Sequence, residues 1–88
     1  MTTNPVAAEA LGEETVAVAF DDVEYTIPTT ANWSYDALEA IEEGRSTGFL
    51  REVLGAAQLA QFKARKPKVS DVNAFVVAIQ KAVGIQGN

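Results

Sequence analysis

The chain has 88 residues, 48% of them hydrophobic and 22% charged, which fits one folded domain and is too short for two independent cores. It contains no cysteine and no histidine, which excludes disulfide frameworks, thiolate metal sites and imidazole acid–base catalysis. Its net charge of −5 is unevenly divided: residues 1–44 hold ten carboxylates and no lysine or arginine, whereas residues 45–88 hold seven cations and two carboxylates. Two readings fit this division. Either the halves attract each other across the fold or carry solvated faces, or the surface is bipolar and steers partners or stacks copies head to tail.

Residues 1–14 lack periodicity and include Pro5, so they are read as a flexible N-terminal tail with a nascent helical turn at 7–11. They have no cationic region and no apolar run of signal-peptide length, and nothing later approaches the ~20 apolar residues of a membrane span. A soluble, intracellular protein with no membrane partner is expected.

The clearest local pattern follows. Val16, Val18 and Phe20 alternate with Ala17 and Ala19, and Val23, Tyr25 and Ile27 alternate with Glu24 and Thr26. This predicts a β-hairpin over 15–28. With Asp21 and Asp22 as a two-residue loop, Phe20 faces Val23, Val18 faces Tyr25 and Val16 faces Ile27, so all six apolar side chains share one face. Asp-Asp is a weaker type I′ sequence than Asn-Gly, because both residues need positive φ; a longer loop or a bulge is the alternative. Pro28 ends the second strand.

Helices are predicted over 35–43, 46–54, 56–66 and 70–83. Ser34, Ser46 and Ser70 stand at their starts as candidate caps, Gly44, Gly55 and Gly84 at ends, and Pro67 after the third. In the first helix Leu38 and Ile41 form a narrow apolar stripe, and Trp33 and Leu38 occupy the staple positions. Phe49, Leu50, Val53 and Leu54 make a buried face in the second, Leu59 and Phe62 in the third, and Val72, Phe75, Val76, Ile79 and Val83 in the last. The expected fold is therefore α+β: an N-terminal hairpin followed by three to four short helices in a small bundle, one domain over 15–84, with residues 85–88 frayed.

Chemistry finds little support. Asp21-Asp22-Val23-Glu24 is shorter than a calcium loop of about twelve residues and lacks its glycine and terminal glutamate. The serines are accounted for as caps, and no glycine-rich phosphate loop is present. No catalytic residue, cofactor or metal is expected.

The conspicuous polar cluster is Lys63, Arg65, Lys66 and Lys68 beside Phe62. It fits helix-end capping and solvation, a phosphate-binding patch, or a docking patch for an acidic protein surface. A pI near 4.5 and the lack of an interleaved aromatic platform count against nucleic acid. In the docking reading, Phe62 is an apolar anchor ringed by Lys63, Arg65, Lys66 and Lys68. Reversing Arg65 and Lys66 is then expected to leave the fold intact.

The order of features resembles a family, the small tail assembly chaperones of long-tailed, siphovirus-type bacteriophages of actinobacteria. The residues carrying the resemblance are Phe20-Asp-Asp-Val-Glu-Tyr25-Thr-Ile27-Pro28, then Trp33 with Ala37-Leu38-Glu39-Ala40-Ile41-Glu42-Glu43-Gly44. Leu50-Arg51, Leu54-Gly55, Gln58 and Phe62 follow, and finally Pro67, Val69, Asp71 and Val72. The resemblance spans about residues 16–83 and rests on core and cap positions. It implies a protein that binds the tape measure protein, recruits tail tube protein around it in the host cytoplasm, and is absent from the mature virion; self-association is a further expectation. A longer frameshifted form is frequent in the family. The alternatives are a small nucleic-acid-associated or regulatory protein, and a structural head or tail connector component.

Overall fold

A computed structural model of the protein describes residues 15–84; the predicted tail at 1–14 and the predicted frayed end at 85–88 lie outside the described residues. Strands β1 (Thr15–Phe20) and β2 (Val23–Pro28) pair antiparallel in the predicted register, with Val16 opposite Ile27, Val18 opposite Tyr25 and Phe20 opposite Val23. Asp21 and Asp22 alone form the turn, both at positive φ (53° and 68°), the conformation that a two-residue type I′ loop requires.

A 3-10 turn, Thr30–Asn32, leads to three helices: α1 (Tyr35–Glu42), α2 (Ser46–Ala64) and α3 (Val69–Val83). Helix α2 is broken at Gly55, whose φ of 77° and ψ of 167° leave the helical region. Open space surrounds the position a Cβ would take there, so the backbone angle, not crowding, calls for glycine.

The hairpin's apolar face lies on the helices. Val18, Tyr25 and Ile27 are buried with Phe49, Leu50, Val53, Leu54 and Phe62 of α2 and Phe75, Val76 and Ile79 of α3. Phe75 is the hub of an aromatic cluster, its ring centroid 4.8 Å from each of Phe20, Tyr25 and Phe62.

Edge pairing is completed by a side chain. Thr26 lies in a pair whose N–H and C=O point away from β1. The Thr26 N–H donates to Gln58 Oε1 at 2.7 Å, and Gln58 Nε2 donates to the Thr26 carbonyl at 2.9 Å and to the Leu54 carbonyl at 2.9 Å. The Gln58 amide thus pairs with the strand edge as a neighbouring strand would, and also satisfies a carbonyl beside the Gly55 break.

Three sequence expectations are corrected here. Helix α1 buries Ala37 and Ala40, with Ile41 half-buried, while Leu38 is 46% exposed; the buried stripe is therefore not Leu38 and Ile41. Small side chains allow α1 to approach α2 closely: a Cβ on Gly48 would stand 3.7 Å from the Ala40 Cβ. Trp33 packs against Phe49 (ring centroids 5.0 Å apart) and donates its Nε1–H to the Pro28 carbonyl at 2.9 Å.

Of the three serines only Ser34 is a cap, its Oγ accepting from the Ala37 N–H at 3.0 Å. Helix α2 begins at Ser46 itself, with Arg45 at the N-cap position and no side-chain cap bond, because the chain re-enters a helix directly after the left-handed turn at Gly44. Helix α3 begins at Val69, before Ser70, and Asp71 accepts the Lys68 N–H at 2.9 Å.

Candidate protein-docking site

The five residues singled out beside Pro67 do not form one patch. Phe62 is only 4% exposed, because the hairpin lays Phe20 and Tyr25 over it; it is a core residue and not a projecting anchor. Arg65 turns toward the hairpin and binds Asp21, with its Nη2 2.9 Å from Asp21 Oδ2. Its reversal would place a carboxylate against Asp21 at a solvent-exposed pair. Lys66 is exposed at the end of α2 with a left-handed φ of 56°.

Lys63 and Lys68 face a different environment. Two clefts meet between the first part of α2 and the start of α3, both lined by Thr47, Arg51, Pro67 and Val72. The deeper one, about 270 Å³, has Leu50, Leu59 and Phe62 at its floor and Lys63 at its edge. The shallower one, about 560 Å³, continues past Arg45 and Lys68 to Val69 and Asn73. Val69 is 76% exposed at this margin. Arg45 and Arg51 were missed in the sequence because they lie far from the 63–68 cluster; their only signal was the excess of cations after residue 44.

No carboxylate lines either cleft. Arg45 is paired with Glu43 and, at 3.8 Å, with Glu39, both lying on the α1 side. Among the described residues Arg51, Lys63 and Lys68 have no carboxylate within ion-pair distance. The groove therefore joins an apolar floor to a rim of uncompensated positive charge. Its chemistry suits an apolar side chain flanked by carboxylates, the composition of an amphipathic acidic helix.

Helix α1 carries the opposite character. Its outer side exposes Tyr35 (75%) and Leu38 together with Asp36, Glu42 and Glu43. A cleft of about 490 Å³ runs beside it, lined by Trp33, Tyr35, Leu38, Ile41, Glu42 and Gln80 among others.

The one buried side-chain polar atom without a hydrogen-bond partner among the described residues is the Tyr25 hydroxyl. Burial pushes its pKa up from the usual phenol value, opposed by the nearby Arg65 charge and reinforced by Asp21. Among the described residues no group of three or more Asp or Glu is placed to hold a metal ion, and no helix is long and apolar enough to cross a membrane. Compared with known proteins, the chain matches no family model, no curated protein and no solved structure.

Proposed function

We propose that this chain is a tail assembly chaperone of a long-tailed bacteriophage, acting by binding the tape measure protein and recruiting tail tube subunits, with no catalytic step of its own. The observation that carries the binding role is the α2–α3 groove, where Leu50, Leu59 and Phe62 floor a cleft edged by Arg51 and Lys63. An apolar floor with a charged rim is the usual anatomy of a protein-docking surface.

The phage assignment rests on the resemblance over residues 16–83, whose quoted positions serve the fold in concrete ways. Asp21 and Asp22 turn the hairpin, Gln58 binds its edge, and Gly55 breaks α2. A chaperone requires adhesive surface and no chemistry, and a chain without histidine or cysteine carries neither of the commonest catalytic nucleophile–base partners. The role places the protein in the host cytoplasm during assembly and outside the finished particle.

Co-expression with the tape measure and tail tube proteins of the same phage tests this. The expected result is that the tape measure protein shifts to the soluble fraction and co-purifies with the chain. Salt-sensitive retention on DNA without capture of either protein would replace this reading with a nucleic-acid-associated one. Recovery from purified particles at stoichiometric amounts would make it a structural connector.

A further inference from the structure

We infer that the α2–α3 groove receives the acidic outer face of α1 from a second copy of this chain. This names the partner of the groove and rests on reading the groove as a protein-docking site.

The two faces complement each other in charge. Arg51, Lys63 and Lys68 edge a groove with no lining carboxylate, while the outer side of α1 carries Asp36, Glu39 and Glu42 and no lysine or arginine. They also complement each other in apolar content. Tyr35 and Leu38 stand three residues apart with Glu42 one turn further on, so they form one edge of the helix. Tyr35 at 75% exposure and Leu38 at 46% are the large apolar groups this edge offers, and the half-buried Leu59 and Val72, over a floor of the core residues Leu50 and Phe62, are what the groove offers in return.

Within one chain the two faces touch only at their margin, where Arg45 at the end of the groove pairs with Glu39 and Glu43. Helix α1 turns Ala37 and Ala40 toward α2, and Tyr35 and Glu42 lie on the opposite side of the same helix. Between the acidic first half and the basic second half, the ion pairs among the described residues are those of Arg45 with Glu43 and Glu39 and of Arg65 with Asp21. The remaining charge of both faces is left to solvent, and a second copy satisfies it. Donor and acceptor faces are different surfaces, so the contact is heterologous: it leaves one free groove and one free α1 per assembly unless it closes into a ring or a reciprocal pair.

The test uses the full chain in sedimentation velocity over a concentration series at low and high salt. The apparent mass is expected to rise with concentration at low salt, and high salt should raise the half-association concentration roughly tenfold, since charge pairing at the rim is screened. Two variants separate the faces: Glu39→Lys with Glu42→Lys reverses α1, and Arg51→Glu with Lys63→Glu reverses the groove. Each alone should stay monomeric, an equimolar mixture should associate, and both sets in one chain should restore self-association. Thermal midpoints near the parent's establish that the variants are folded.

A parent that stays monomeric throughout the low-salt series overturns the inference, as does a mixture that fails to associate. If the parent is monomeric while the groove variant loses the tape measure protein, the groove has another partner and the chaperone role stands. If the mixture associates while tape measure capture is absent, self-association stands and the chaperone role fails.

Discussion

The guanidinium of Arg65 grips Asp21 through both its carboxylate and its main chain: Nε and Nη2 donate to Oδ2 at 3.1 and 2.9 Å, and Nη2 also donates to the Asp21 carbonyl at 2.9 Å. One end of α2 thereby holds the hairpin turn, which two aspartates at positive φ would otherwise leave strained. The side chains of Arg65 and Asp21 are 39% and 61% exposed, so the ionic part is screened by solvent. A double-mutant cycle of Arg65→Ala and Asp21→Ala should give a coupling of ~0.2–1 kcal/mol that shrinks with added salt. Additive effects in urea unfolding would show that the contact does not secure the turn.

Gln58 is a second long-range tie. Gln58→Ala removes three hydrogen bonds, two of them to the Thr26 edge, and should cost about 1–2 kcal/mol. Gln58→Glu keeps an acceptor for the Thr26 N–H but turns a carboxylate oxygen toward two carbonyls, so it should lose at least as much at neutral pH. The effect should be local in hydrogen exchange, with the Thr26 amide losing protection first.

Tyr25 is fully buried with its hydroxyl unpartnered among the described residues. Tyr25→Phe leaves the packing in place and removes an unsatisfied polar atom, so its stability at neutral pH should match the parent's or exceed it by up to ~1 kcal/mol. The phenol is held neutral in the fold, with a pKa raised above the ordinary tyrosine value of 10.0. Above that value the unfolded chain loses the proton while the folded chain keeps it, so the unfolded state binds fewer protons and stability falls as pH rises toward the folded pKa. Tyr25→Phe should lack this part of the alkaline loss, seen as a parent-to-variant difference in thermal midpoint that is constant well below about pH 10 and grows in the variant's favour above it.

The orientation of α1 makes an unequal pair of substitutions informative. Ala40 is 2% exposed and lies close to Gly48, so Ala40→Leu should destabilise by about 1–3 kcal/mol through overpacking. Leu38→Ala removes a larger group from an exposed position and should change stability by no more than ~0.5 kcal/mol. The reverse ranking in chemical denaturation would mean that the helix buries the Leu38 edge instead.

Which features were legible in the sequence follows from the range of the interactions that set them. The hairpin register and the stripe of α3 are periodic, and period alone placed Val18, Tyr25, Phe75 and Ile79 in the core. The face of α1 was misread because two alanines outrank a leucine where helices come within touching distance of Gly48, and hydrophobicity does not report that distance. Ser46 and Ser70 carry the right residue type for caps, but the short connections before them start each helix one or two residues earlier than a cap would. Phe62 read as an exposed anchor because its cover, Phe20 and Tyr25, comes from a hairpin some forty residues away in sequence. The groove escaped for the same reason: Arg51 and Lys68 line one cleft only when α2 and α3 pack.

The central claim, that the basic groove docks the acidic face of α1, is tested most directly by following the amide resonances of the ¹⁵N-labelled chain through a low-salt dilution series. The predicted result is concentration-dependent movement at two places at once, along α1 (Tyr35–Glu42) and around Thr47, Arg51, Lys63, Lys68 and Val72, with the hairpin resonances of Ala17, Ala19 and Glu24 unmoved. A spectrum that does not change with dilution, or one that changes only along the hairpin, would contradict it.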